Sequence, residues 1–172
     1  MFTLFSRHFD FQSAETYGHL IQSLLAAGAR VGVWADVYDQ MVNANFREAD
    51  RVERVATIDA VRASSALLSV GGDGTFLAAA KMVMGSDVPV LGINRGRLGF
   101  LSDVAPDQLQ QAVSDLIEGK YRTNDVTVIN MYADGTRDPI GFAINEFAIS
   151  KCDNSSMLTL DTYVDGDYLT TF

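Results

Sequence analysis

A carboxylate stands inside a glycine loop at Gly71-Gly72-Asp73-Gly74-Thr75. The apolar run Ala66-Leu67-Leu68-Ser69-Val70 precedes it and a helix-forming stretch, Phe76 to Val83, follows. Strand, glycine loop and helix in that order suit phosphate binding. Glycines let the backbone approach a ligand closely, and the first amides of the helix point at its negative charge. Asp73 is out of place in such a loop, because a carboxylate repels phosphate. Two kinds of chemistry would justify it: a metal ion, or a hydroxyl that must lose a proton. Asp73 and Thr75 are also each good helix caps, but both are not needed for that task.

Two more clusters have chemical content. The segment Asn94 to Asp103 carries Arg95 and Arg97 around Gly96, a spacing that pairs with phosphate oxygens or simply decorates a solvated loop. Phe100 and Leu101 in the same segment either seal the core or form an apolar wall for a flat ring. Asn145-Glu146 interrupts an apolar run, Phe142-Ala143-Ile144 and Phe147-Ala148-Ile149. Side chains alternate across a strand, so the two polar groups share a site only if the strand ends or bends there. His8 and His19 show no metal-ligand spacing, Cys152 has no catalytic partner, and the methionines read as core.

The elements that must position these residues follow from periodicity. Thr3–Ser6, Val31–Trp34, Leu67–Val70 and Val88–Ile93 read as strands. Helices are expected over 14–27, 58–63, 76–84 and 107–117, with apolar residues on one face, as at Tyr17, Leu20, Ile21, Leu24 and Leu25. Residues 36–54 are polar and fit a short helix and a loop. The alternation predicts an α/β fold: a Rossmann-like, mostly parallel sheet with helices on both faces, whose ligands bind at the carboxyl ends of strands. Both glycine-bearing loops lie at such ends. From Tyr121 onward strands dominate, at 126–132, 140–150 and 158–164, with hairpin-type turns at Asp134-Gly135 and Asp165-Gly166. The expected division is therefore an α/β domain over 1–120 that carries the glycine loop, and the beginning of a β-rich, β-sandwich-like domain over 121–172. The last residues, Thr170-Thr171-Phe172, read as a strand whose sheet lacks partners, as in a piece of a longer protein.

Composition narrows the function. At 172 residues and 48% hydrophobic, the chain can build a real core. A formal net charge of −9 argues against nucleic acid or an anionic membrane as the main partner. It also means that a phosphate site here needs helix ends, glycine amides, a few Lys or Arg, and a cation. No apolar run reaches the ~18 residues of a membrane helix. The N-terminal residues read as a strand rather than a signal peptide, and the single cysteine suits a reducing cytoplasm.

Taken together, Gly71-Gly72-Asp73-Gly74-Thr75-Phe76-Leu77, Leu91-Gly92-Ile93-Asn94 with Gly96, Leu98-Gly99-Phe100-Leu101 and Asp103, and Asn145-Glu146 resemble the NAD kinase family. The glycine block is shared in variant form with phosphofructokinases and with diacylglycerol and sphingosine kinases; the other two point to NAD kinases. The resemblance implies an α/β domain followed by a β-rich one, with the active site in the crevice between them. It implies transfer of the terminal phosphoryl of ATP, or of polyphosphate, to the 2′-hydroxyl of the adenosine ribose of NAD, with a divalent ion such as Mg2+, in a dimer or tetramer. By the same resemblance, Asp73 would accept the hydroxyl proton. Gly71, Gly72 and Thr75 would complete the nucleotide loop, whose glycine amides take the donor phosphates with the metal ion, and Gly74, Phe100, Leu101, Asn145, Glu146 and Ser156 would contact NAD. The family's downstream adenine-pocket motifs would begin after Phe172, so these residues alone are expected to have little activity. Two rival readings are a lipid or sugar kinase with the same glycine loop, and a nucleotide-sensing module that binds without reacting.

Overall fold

The computed structural model describes residues 1–95, 99–102, 104–150 and 157–172, which fall into two compact units, Met1–Asn124 and Asp125–Phe172.

In the first unit the elements are β1 (Phe2–Phe5), α1 (Phe11–Ala26), β2 (Val31–Trp34), α2 (Ala35–Asn43), β3 (Glu53–Val55), α3 (Ile58–Arg62), β4 (Ala66–Val70), α4 (Asp73–Val83), β5 (Val90–Ile93) and α5 (Leu109–Ile117). The five strands form one parallel sheet in the order β3-β2-β1-β4-β5. The chain builds outward from β1 on one side, then crosses to β4 and builds outward on the other. The strand order therefore reverses between β1 and β4, and the carboxyl ends at such a switch point are the usual ligand site of these sheets.

Strand alternation divides the core between two faces. Leu4, Val31, Val33, Leu68, Val70 and Ile93 pack with α1, α2 and α5 through Tyr17, Leu20, Ile21, Leu24, Val37, Met41, Leu109 and Val113. Phe5, Val55 and Leu67 pack on the opposite face with Val61 of α3 and Ala79 and Val83 of α4. Each large side chain removed from water here contributes roughly 1.5–3 kcal/mol, so β4, buried along its whole length, is the most strongly held strand. The α/β architecture expected from the alternation is the one observed.

Differences from expectation lie at element ends. Residues 36–54 hold α2, a 3₁₀ turn at Arg47–Arg51 and β3. α2 starts directly after Trp34 without a side-chain cap, so no turn residue announces it. α4 starts at Asp73 rather than Phe76, because Gly74 is tolerated in a first helical turn although it reads as a breaker. Pro106–Gln108 forms a 3₁₀ turn that leads into α5.

The second unit contains β6 (Ile129–Met131), β7 (Gly141–Ala143), β8 (Asp161–Val164) and β9 (Asp167–Thr171), arranged as two separate antiparallel pairs, β6-β7 and β8-β9. Asp165-Gly166 makes the two-residue turn that its sequence predicts, with both residues at positive φ. Asp134-Gly135 instead forms a local turn inside the longer connection 132–140, with Thr136 N–H donating to the Ala133 carbonyl. The long strands expected over 126–132 and 140–150 shrink to three residues each. Two-stranded pairs with solvent on their apolar faces have little to hold longer ladders.

Candidate functional site

The glycine loop joins β4 to α4 at this switch point. Gly71 N–H donates to the Ile93 carbonyl (2.9 Å), which ties the loop to the end of β5. A Cβ at Gly71 would meet Thr75 Cβ at 2.8 Å, so only glycine lets the loop turn tightly against the helix it precedes. The N-cap of α4 is Gly72, and no side chain caps the helix. The capping roles open to Asp73 and Thr75 are therefore unused. Asp73 sits at the first helical position and reaches away from its own helix.

It reaches the second loop. The Asp73 carboxylate accepts three backbone N–H groups: Phe100 on Oδ2 at 3.0 Å, and Leu101 and Ser102 on Oδ1 at 3.0 and 3.3 Å. The amides of Leu101 and Phe100, with a smaller contribution from Ser102, hold its carboxyl below the usual aspartate range, against the opposing effect of partial burial. A carboxylate offers about four acceptor directions. Among the described residues one direction on Oδ2 remains open.

The second loop is anchored on its other side. Val104 pairs with Ile93 in a parallel bridge, with Asn94 N–H to the Val104 carbonyl at 3.0 Å and Val104 N–H to the Gly92 carbonyl at 3.2 Å. The Asn94 side chain donates to the Ser102 carbonyl at 3.3 Å. Segment 99–102 is thereby pinned between β5 and Asp73. The Phe100 ring is fully exposed and does not seal the core, while Leu101 is half-buried. This leaves the ring as a free apolar face beside the carboxylate.

Arg95 does not stand free for phosphate. It pairs with Asp10 Oδ2 at 2.8 Å, and Asp10 also caps α1 by accepting Ser13 N–H. Among the described residues a basic group does reach the glycine loop: Arg7, just past β1, whose Nη2 donates to the Gly74 carbonyl at 3.0 Å. Sequence reasoning missed it. Its signal was positional: in the observed strand order the end of β1 lies beside the end of β4.

In the second unit β7 stops at Ala143 and the chain bends at Ile144 and Asn145, leaving Asn145 and Glu146 exposed. The bend is the condition under which those two polar groups can serve one site. Gly96, Arg97, Leu98, Asp103, Cys152 and Ser156 lie outside the described residues.

Comparison with known proteins places the chain in a family. Residues 12–121 match the family model of the ATP-NAD kinase N-terminal domain. The chain belongs to the NAD kinase family. It is similar to the NAD kinase of Cytophaga hutchinsonii, 42% identical over 107 residues, covering 62% of this chain and 37% of that protein. It is similar along nearly its whole length to the NAD kinase of Christiangramia forsetii, 28% identical over 172 residues, covering 98% of this chain and 58% of that one. Among solved structures, yeast NADH kinase complexed with NADH shares the fold with a TM-score of 0.72 at 20% identity, covering 99% of this chain and 54% of that chain. The chain thus spans from 37% to 58% of the length of these relatives.

Proposed function

We propose that this chain carries the catalytic half of an NAD kinase, which moves the terminal phosphoryl of ATP to the 2′-hydroxyl of the adenosine ribose of NAD and so makes NADP. The observation that carries this reading is Asp73, an ionised carboxylate at the switch point of the sheet with one acceptor direction left open among the described residues, near the exposed Phe100.

In this reading Asp73 has a particular role. A carboxyl held below its ordinary range is a weak base, so it removes a proton reluctantly. Phosphoryl transfer passes through a loose transition state in which the attacking bond is little formed, and positioning with charge neutralisation supplies most of the catalysis. Asp73 therefore orients the hydroxyl by accepting its hydrogen bond, and takes the proton late, once attack has made the oxygen acidic. Gly71, Gly72, Gly74 and Thr75 shape the loop beneath the donor phosphates. Arg7, placed by the Gly74 carbonyl, supplies positive charge there, and Arg95 is occupied by Asp10. Phe100 and Leu101 form a wall for NAD, with Asn145, Glu146 and Ser156 contributing further contacts.

No three His, Cys, Asp or Glu side chains gather into a metal cage among the described residues. Mg2+ commonly binds through substrate phosphates and water with few protein ligands. It fits this chain as a companion of ATP, where it would neutralise phosphate charge.

Polyphosphate is the alternative donor. The reading extends to a cytoplasmic enzyme assembled as a dimer or tetramer, without nucleic acid or membrane partners; no described helix is long and apolar enough to cross a membrane. These 172 residues alone are proposed to turn over little or no NAD, because the second unit leaves its apolar faces open.

The test is a coupled assay for NADP formation by the full-length protein with Mg-ATP or polyphosphate, beside the 172-residue chain. NADP from the long form and little from the short one is expected. Transfer of labelled phosphate to diacylglycerol or fructose 6-phosphate, with none to NAD, overturns the assignment. Equal turnover by both forms overturns the claim about the short chain.

A further inference from the structure

Asp73 and segment 99–102 hold each other, and two glycines let them meet. A Cβ at Gly99 would stand 2.9 Å from Asp73 Cγ, with Oδ1 nearer still. A Cβ at Gly92 would stand 2.8 Å from Ser102 Cα and 3.0 Å from the Phe76 ring, with the Leu101 carbonyl oxygen nearer still. Asp73 begins a helix whose Ala79 and Val83 are built into the core, so its carboxylate could make room for a side chain at 99 only by turning away from the amides of 100–102. On the other side Ser102 is fully buried, and Val104, two residues on, is bonded to β5.

We infer that Gly99 is a positioning residue for Asp73. The lack of a side chain at 99 lets the backbone amides of 100–102 close on the carboxylate, occupying Oδ1 twice and Oδ2 once, and so leaves a single acceptor direction for a substrate hydroxyl. Gly92 provides the matching space on the β5 side. The part of this that concerns the hydroxyl rests on the NAD kinase reading; the mutual hold of the two loops does not. The inference also explains why Gly99-Phe100-Leu101, a run with no ionisable side chain, accompanies the glycine-aspartate loop: with Ser102 it supplies the amides that fix the carboxylate.

The experiment is a double-mutant cycle in the full-length protein with Gly99→Ala, Asp73→Ala and the pair, read by thermal melting, amide hydrogen exchange and steady-state kinetics. Directly contacting positions couple, whereas independent ones add. In the wild-type background Gly99→Ala is expected to lower the melting temperature and to speed exchange at Phe100, Leu101 and Ser102 by about tenfold or more, with β4 amides unchanged. In the Asp73→Ala background, where the carboxylate is gone, the same substitution should change neither. If the single variant does not fold, a folded double variant supports the same collision. Equal melting shifts in both backgrounds, or unchanged exchange at 100–102, overturn the inference. With NAD and ATP, Gly99→Ala should lower kcat more than it raises the ATP KM. Preserved kcat alongside altered exchange would count against the hydroxyl-orienting part while leaving the loop hold intact.

Discussion

Residues 1–124 and 125–172 treat their apolar side chains in opposite ways. The first unit buries Leu4, Tyr17, Leu20, Leu67, Leu68 and Ile93 completely, in two clusters on the two faces of one sheet. In the second unit Ala143 is the buried hydrophobic residue among those described, while Tyr163, Tyr168, Leu169 and Phe172 are mostly exposed. A five-stranded parallel sheet covered by helices supplies its own core, and two antiparallel pairs do not. The chemistry follows the same division. Asp73 is placed by groups inside the unit that has a core, whereas Asn145 and Glu146 sit on a bend of the unit without one.

The strongest way to break this comparison is to separate the units. Residues 1–124 alone are expected to unfold in one cooperative denaturant transition, and residues 125–172 alone to show none; a cooperative transition in the short piece would contradict the contrast. Single substitutions sharpen it. Leu68→Ala should cost about 2–5 kcal/mol, since it opens a cavity beside the fully buried strand β4. Tyr163→Ala, at an exposed position, should stay within about 0.5 kcal/mol, and similar losses at both would sink the distinction.

Smaller effects concern the site. Arg7→Met in the full-length protein should raise the KM for ATP by about tenfold, the value of roughly one charge-assisted hydrogen bond, with the KM for NAD little changed. An NAD-selective effect would move Arg7 away from the donor phosphates. The smallest concerns pH. The Asp73 carboxyl lies below its ordinary value of 3.8. A depressed carboxyl contributes its hold above the unfolded value and loses it as pH falls through the folded one. Exchange protection at Phe100–Ser102 should therefore be flat from about pH 5 to 8 and decline only below 3.8. A decline near neutrality would assign the hold to another group.

Much of the first unit was legible because its strands are short apolar runs and α1 and α5 have clean helical periods. The start of α4 was obscured by Gly74, and α2 by the absence of a capping residue after Trp34. In the second unit apolar runs looked like long strands, yet a run pairs only as far as a neighbour supports it, and at Ile144 the chain bends. Asp73 was legible as a charge in need of a reason. Its partners were not, because backbone N–H groups leave no trace in residue identity. Gly99 was visible only as part of a motif, and the need for glycine there emerges when Asp73 is seen against it. Arg7 required the strand order, which brings the ends of β1 and β4 together.

The central claim is that Asp73 orients the acceptor hydroxyl from a frame of backbone amides. Asp73→Asn in the full-length protein tests it most directly, with NADP formation and NAD binding measured side by side. The account predicts a fall in turnover of about a hundredfold or more with NAD affinity largely kept. Turnover within a few-fold of wild type would contradict it.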